Sequence, residues 1–591
     1  MRHRVVLTQA LVAAALAAQA LPAQAAVAAT GALVSVGSPT NITPPNHQNE
    51  PAVAVDASHP NVLVAGSNDY IDQPVCPQDL MAVNGRCDAF ATGAGLSGVY
   101  FSFDSGHSWT QPQYTGWTGR NCPPVSTCPG EFGPIGTLPW YYENGLVSDG
   151  DPAVAVGPKP GPNGFSWANG SRVYYANLSS AFTPSFPNPT FRGFEALAVS
   201  RLDDPTPTSV LSKNSWMPPV VVDTRSSQTG FEDKEQIWAD NAASSRFFGR
   251  VYMCAPQFRS VGQHLPGNFP APLEAAVSAD GGSTWTTKQL TPAGTTGRGP
   301  TLWGLSGCTV RTTSTGVVYL FAQMFQNPAL VGLPTHSFHV VFTSTDGGAS
   351  WSQQQTLFES TDPCYFVDPI YGRCVMDGYA GARTDLAAAP SVDIANGAPT
   401  GAGATDTIVD AWVNGTLNAE SVRVAWSRGG TWSTPASVSL PGDRPIYAAP
   451  AISPVGDQAY IVYEAVTSPW RGADMTSPRP YHGVLLTAAV PASGPGTWTS
   501  AYVGPTGDIR ASYPGHDIYQ ERIGDYVYAA ATATYGVGVY IDASNAAVCP
   551  AVQAYRAASL AAGTRALPSP YPPTDCPATF GNTDVVAATT G

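Results

Sequence analysis

From about residue 31 the chain is a succession of short apolar runs, each opened by polar residues and closed by turn formers. Asn49-Glu50-Pro51 leads into Ala52-Val53-Ala54-Val55, and Asp149-Gly150-Asp151-Pro152 leads into Ala153-Val154-Ala155-Val156. Five similar starts follow: Asp233-Lys234-Glu235, Gly307-Cys308, Arg383-Thr384-Asp385, Tyr447 to Ile452, and Gly524-Asp525-Tyr526. Many are followed by a second run rich in Val, Tyr and Ala, such as Val317-Val318-Tyr319-Leu320 and Ala459-Tyr460-Ile461-Val462-Tyr463. Runs of this length, bounded by Gly, Pro and Asp, predict strands rather than helices.

A second pattern ends the units. Ser102-x-Asp104-x-Gly106-x-Ser108-Trp109 recurs as Ser278-x-Asp280-x-Gly282-x-Thr284-Trp285 and Ser344-x-Asp346-x-Gly348-x-Ser350-Trp351. A degenerate copy ends at Trp432, a remnant at Trp498, and a copy split by an insertion at Trp216. Successive Trp spacings are 107, 69, 66, 81 and 66 residues, a repeat architecture. Ser and Asp side chains bond a turn backbone, Gly supplies positive φ, and Trp packs between sheets. This is a hairpin device and not a catalytic one. Strand, strand, strand, turn and strand make one four-stranded antiparallel blade, so the expected fold is an all-β propeller. Seven starts give seven blades, with six as the alternative from six Trp ends. In the seven-blade form the N-terminal run Ala32-Leu33-Val34-Ser35-Val36 supplies the last outer strand.

The three strict motifs and the starts resemble the Asp-box repeats of the sialidase (bacterial neuraminidase) superfamily, over nearly all of residues 31–591. The resemblance implies the propeller. It leaves the activity open, because the superfamily holds hydrolases, lectins and assembly factors.

Composition narrows the field. Charged residues are only 12% of the chain and the net charge is −14, so no basic stripe is available for nucleic acid or an anionic membrane. Arg2, His3 and Arg4, the apolar stretch to Leu21 and Ala23-Gln24-Ala25 form a signal-peptide pattern, with cleavage expected near Ala25. No later segment reaches membrane-spanning length. The expected product is a secreted monomer, not membrane-embedded, whose partner is an extracellular glycan. Ten cysteines without a CxxC predict five disulfides in an oxidising compartment. Close pairs are Cys76/Cys87, Cys122/Cys128 and Cys364/Cys374, while Cys549/Cys576 brackets an insertion at 546–581. Cys254 and Cys308 then join the inner strands of adjacent blades.

Chemistry is expected where the innermost strands begin, because those ends share one mouth of the channel. Glu50, Asp151, Asp233, Glu235, Asp385 and Asp525 stand there, and Asp233 and Glu235, two apart on an extended strand, should face one side with Lys234 turned away. Convergent carboxylates suit general acid/base work or a Ca²⁺ ion. The sialidase resemblance implies a Tyr nucleophile, a Glu partner, an Asp acid and an arginine triad. Tyr519 with Glu521, and Asp69 or Asp72, are the corresponding candidates, with Arg298, Arg383, Arg444 and Arg522 for the triad. Asn49-Glu50-Pro51 stands where the family has Arg-Ile-Pro, so the motif does not assign a full triad. An exo-acting glycoside hydrolase is the leading expectation. A non-catalytic propeller that binds glycan or protein is the alternative, and a purely structural ring stays open.

Overall fold

The computed structural model describes residues 28–591 apart from 42, 87–90, 124–127, 183–194, 224–229, 261–267, 293–302, 327–330, 371, 377–382, 473, 514, 516 and 521–522. The signal-peptide segment therefore lies outside the described residues. The chain forms seven antiparallel blades. Blade 1 runs Gln48–Val55, Leu63–Asp69 and Ser97–Ser102, and Thr110 bridges Phe101 as a residual fourth edge. Blade 2 is Leu146–Gly161, Gly164–Ala181, Ala196–Asp203 and Trp216–Val221. Blade 3 is Gln236–Ala239, Val251–Ser260, Asn268–Ser278 and Thr286–Gln289. Blade 4 is Trp303–Thr312, Val318–Gln326, His336–Ser344 and Gln355–Thr361. Blade 5 starts at Ser391–Ile394, and blade 6 at Arg444–Ile452. Blade 7 is Tyr528–Ala531, Gly536–Asp542 and Asp584–Thr589, completed by Thr30–Leu33 from the N-terminus. The first strand of every blade touches the first strand of the next, and blade 7 returns to blade 1, so the ring is closed. Seven is the correct count, and the N-terminal strand closes it.

The three strict motifs fold into one turn between third and fourth strands. In each, the Gly N–H donates to the first Ser Oγ at 2.8–2.9 Å, and the Asp Oδ1 accepts the N–H of the Ser or Thr before Trp at 2.8–2.9 Å. The glycines Gly106, Gly282 and Gly348 have φ of +90°, +79° and +88°. They also abut the previous blade: a Cβ on Gly348 would meet Val277 Cγ2 at 2.5 Å. The tryptophans pack at blade junctions, with Trp109 in the cluster joining blades 7 and 1.

One feature was not expected. Between Gly536–Asp542 and Asp584–Thr589 the bracketed insertion forms a helix, Pro550–Ala562, with Pro at its first turn and Gly563 (φ +64°) ending it. Its Arg556 is fully buried and donates to the carbonyls of Arg510, Ser512, Ile518 and Gln520. That clamps the segment leading to Asp525. Among the described residues no helix is long and apolar enough to cross a membrane.

Disulfides join Cys122–Cys128, Cys254–Cys308, Cys364–Cys374 and Cys549–Cys576, while Cys87 lies outside the described residues. Cys254–Cys308 ties blade 3 to blade 4, and both cysteines are buried. It closes a loop of 54 residues, so a Cys254→Ala/Cys308→Ala variant should lose about 2–4 kcal/mol in denaturant melts. An unchanged midpoint would mean that packing alone holds this junction.

Candidate functional site

The first strands of blades 1 to 3 do not begin straight. Glu50, Asp151 and Lys234 have φ of +54°, +51° and +59°, a conformation non-glycine residues rarely adopt. In blades 1 and 2 the ladder slips across Glu50-Pro51 and Asp151-Pro152, the mark of a bulge. Blade 4 slips at the matching place, where Gly307 takes φ +57°. Bulges re-aim side chains, and here they turn three charged residues toward the axis.

Lys234 is the centre of the arrangement. Its Nζ lies 2.8 Å from Asp151 Oδ2, 2.7 Å from Asp525 Oδ2, 3.5 Å from Asp233 Oδ1 and 3.8 Å from Glu50 Oε1. Arg383 Nη2 reaches the same Asp525 oxygen at 2.7 Å and Glu50 Oε1 at 4.0 Å. Asn68 Nδ2 donates to Glu50 Oε2 at 2.6 Å, and its Oδ1 accepts the Asp151 N–H at 2.6 Å. Blades 1, 2, 3 and 7 and the segment preceding blade 5 thus meet in one ion network. Burial works against the Lys234 ammonium, but Asp151, Asp233, Asp525 and Glu50 together hold it well above the usual lysine range. The expectation that Lys234 turns away is corrected. Side chains alternate only on an extended strand, and φ +59° is not extended.

Glu235 differs from its neighbours. It is 3% exposed, and neither carboxyl oxygen has a hydrogen-bond partner. Burial first, then the charge of Asp151, pushes it well above the ordinary carboxylate range, which favours its protonated form. Glu195 is raised likewise by burial, then by Asp149, Asp233 and Asp151, and burial brings Asp149 to about 6.

Glu235 and Lys234 line a recess of about 50 Å³ with Thr309, Asp525, Tyr526 and Tyr528. A crossbar borders it: Gln236 Nε2 donates to the Tyr528 hydroxyl, and Arg311 Nη1 donates to Gln236 Oε1 at 3.1 Å. Gln236 and Tyr528 also line a second cavity of about 160 Å³, with Trp238, Arg311 and Asp393.

Of the sequence candidates, Glu50, Asp151, Asp233, Glu235, Asp525 and Arg383 come together. Asp385 does not: it lies in the turn before Ser391–Ile394 and pairs with Arg373 at 2.5 Å. Asp69 accepts from Tyr100 OH at 2.8 Å, Gln111 Nε2 at 2.7 Å and Gln48 Nε2 at 3.1 Å. Asp72 pairs with Arg120 at 2.7 Å. Arg444 pairs with Glu420 at 2.9 Å, and Tyr519 donates to Asp368 at 2.8 Å beneath the helical insertion. Arg298, Glu521 and Arg522 lie outside the described residues. Sequence reasoning placed Lys234 among these residues but turned it away, and passed over Asn68, Asp149 and Glu195. Lys234 carried a usable signal: the chain has four lysines, and this one sits between two acids at a strand start.

No known protein-family profile matches the chain, and no curated protein matches it in sequence. Among solved structures it is similar to a Dyadobacter fermentans protein of unknown function, at 11% identity over 74% of this chain and 93% of that one, with a TM-score of 0.38. It is also similar to the Hadza microbial sialidase Hz136, at 12% identity over 67% of this chain and 63% of that one, TM-score 0.34. The Trypanosoma rangeli sialidase in complex with sialic acid aligns at 11% identity over 77% and 58%, TM-score 0.37. The chain spans about three fifths of the length of these two sialidases.

Two predictions follow from the electrostatics. Burial raises Glu464 to about 8, Asp240 to about 7, and Asp149 and Asp584 to about 6, from ordinary values of 4.5 for Glu and 3.8 for Asp. The unfolded chain releases these protons first, so stability should fall as pH rises from about 4 through about 8. In the other direction, the Ser350 hydroxyl and N–H hold Asp346 at about 2, and its contribution is lost in stronger acid. Melting should therefore be highest near pH 4–5; a melting temperature that climbs from pH 5 to pH 8 would overturn this assignment. Replacing Lys234 by Met should destabilise the protein by about 3–5 kcal/mol at pH 7, because buried carboxylates lose their cation. The loss should shrink near pH 4, where those acids can take up protons, and an equal loss at both pH values would assign it to packing instead.

Proposed function

We propose that the protein is a glycan-acting propeller that hydrolyses a terminal glycosidic bond at the axial recess. The observation that carries this reading is Glu235, a buried acid without hydrogen-bond partners beside the ion-paired carboxylate of Asp151. Glycoside hydrolysis needs such a pair: one neutral acid to protonate the departing oxygen, and one carboxylate to act as nucleophile or to activate water. In this reading Glu235 is the proton donor, Asp151 is the carboxylate, and Lys234 fixes Asp151 in place. The crossbar of Gln236 and Tyr528 lies between the recess and the second cavity, and a recess bounded in this way suits attack at a chain terminus. Around Lys234 and Arg383 stand Glu50, Asp151, Asp233 and Asp525, four acids against two cations. That excess of negative charge favours a neutral sugar over an acidic one. Export through the N-terminal leader, with disulfides formed outside the cell, completes the proposal.

A panel of fluorogenic glycosides of neutral sugars, with a sialoside beside them, tests it. Glu235→Gln should lower kcat at least about 100-fold. Its melting temperature at pH 7 should hold or rise, because an amide replaces a desolvated acid. Turnover that survives Glu235→Gln would remove Glu235 from the chemistry. A protein that cleaves none of the panel yet binds on a glycan array would be a binding propeller.

A further inference from the structure

Blades 5 and 6 carry the two motif copies that lack the Asp, with Ser427 and Ser493 in its place. Where these blades meet, an open groove of about 410 Å³ lies between the third strand of blade 5, Ser421–Arg428, and the turn that follows Pro480–Ala489 in blade 6. In an antiparallel blade the third strand runs in the direction of the first, so the turn after it lies at the end of the ring opposite the axial recess. Two part-exposed tryptophans form the apolar part of the groove. Trp426 faces it with Val424, two residues away on the same strand, and Trp498 faces it from blade 6. Both rings pack on the apolar cluster that joins the two blades. The blade 6 turn also presses on the first ring: a Cβ on Gly494, at φ +105°, would meet Trp426 Cε2 at 2.1 Å. Thr434, Ser437 and Thr497 line the groove with exposed hydroxyls, and no lining residue is charged. These hydroxyls and both indole N–H groups have no hydrogen-bond partner among the described residues. The strict motifs differ, because Trp109 and Trp351 donate their ring N–H to the Gly106 and Gly348 carbonyls at 3.1 and 3.2 Å.

We infer that this groove holds a neutral polysaccharide chain, at a site separate from the axial recess. A sugar ring has an apolar C–H face and a rim of hydroxyls. The indole faces match the first, and the unpartnered hydroxyls and indole N–H groups match the second. Both rings are held by their neighbours before a ligand arrives, which lowers the ordering cost of binding. The charge balance selects the neutral class. The lining offers no cation for an acidic polymer, and the chain as a whole carries a net charge of −14 that would repel one. The groove volume falls within the range of about 300–1,000 Å³ usual for small-molecule sites. Being open to solvent, it can let a polymer run on past it, whereas the recess of about 50 Å³ suits a terminus. Two indoles and a few hydroxyls offer too little area for the roughly 800 Å² per side of a standard protein interface. The ligand class is read from the groove's own lining, so the inference stands apart from catalysis at the axis.

The test is affinity electrophoresis of the full-length protein through gels containing β-glucan, xylan, galactan or galactomannan, with polygalacturonate as the acidic counterpart. At least one neutral polymer should retard the wild type, and polygalacturonate should not. Trp426→Ala/Trp498→Ala should weaken that binding at least about 10-fold. Thr434→Val/Thr497→Val, which keeps side-chain size and leaves the packed rings alone, should weaken it about 3-fold or more. Both variants should turn over small fluorogenic glycosides as the wild type does, and Glu235→Gln should be retarded as strongly as the wild type. Absence of retardation in every neutral gel would overturn the inference, as would equal retardation of the wild type and both groove variants. Retardation lost only in Glu235→Gln would place the polymer at the axis instead. A wild-type dimer in light scattering that Trp498→Ala converts to a monomer would make the groove a contact between copies of this chain, and would overturn the inference too.

Discussion

Seven strands that begin at one end of a common axis bring their first side chains close together and away from water, and charges placed there must balance. Lys234 is what balances them. Four carboxylates from blades 1, 2, 3 and 7 converge on its ammonium, and Arg383 adds a second cation at Asp525. Without a cation each acid would be driven to its neutral form, and the hydrogen bonds that orient the strand starts would change with it. The left-handed turns at Glu50, Asp151 and Lys234 depend on the same network. A positive φ at a non-glycine residue costs on the order of 1–3 kcal/mol and persists only where the surroundings over-determine it. The ion pairs at the axis supply that constraint.

The periphery keeps this centre in place. The N-terminal strand Thr30–Leu33 lies against Asp584–Thr589 and closes blade 7, whose first strand follows Asp525. Cys254–Cys308 fixes blade 3 to blade 4 just beyond Lys234 and Gln236. Arg556 holds the carbonyls of residues 510 to 520 from the far side, so the segment that delivers Asp525 is anchored by a helix outside the blades. Each of these joins parts of the chain that are distant in sequence, which is how a ring of weakly charged, glycine-rich blades keeps an ionic centre aligned.

The outer turns were readable from sequence because they are local. Ser102, Asp104, Gly106 and Ser108 bond one another within seven residues, and the same spacing recurs at Ser278 and Ser344. Six turn copies and seven strand starts were enough to find all seven blades. The axis was readable only in part. Glu50, Asp151, Asp233 and Asp525 could be placed because a strand start fixes the end of the ring at which they lie. The direction of Lys234 could not, because alternation fails where the backbone turns left-handed. Asp385 was misplaced because the first strand of blade 5 begins several residues later than its polar start suggests. Arg556 and its helix were hidden inside a segment judged by its prolines, although Ala551 to Ala562 is rich in good helix formers.

The distribution of partners at the axis separates two tasks. Asp525 and Glu50 are committed to Lys234, Arg383 and Asn68 and hold the ring, while the Lys234 ammonium keeps Asp151 ionised and in place. Glu235 lies one residue from Lys234, but neither of its carboxyl oxygens is hydrogen-bonded, and the Lys234 charge does not outweigh burial and Asp151. Proximity to a cation therefore does not decide its state; the direction of its side chain and the water excluded around it do. A fold under selection for stability alone would be expected to pair this carboxyl or replace it with an apolar residue of similar size, since an unpartnered buried acid is a net loss. On the proposed reading, its place beside an ion-paired carboxylate at the axial recess is what a proton donor requires.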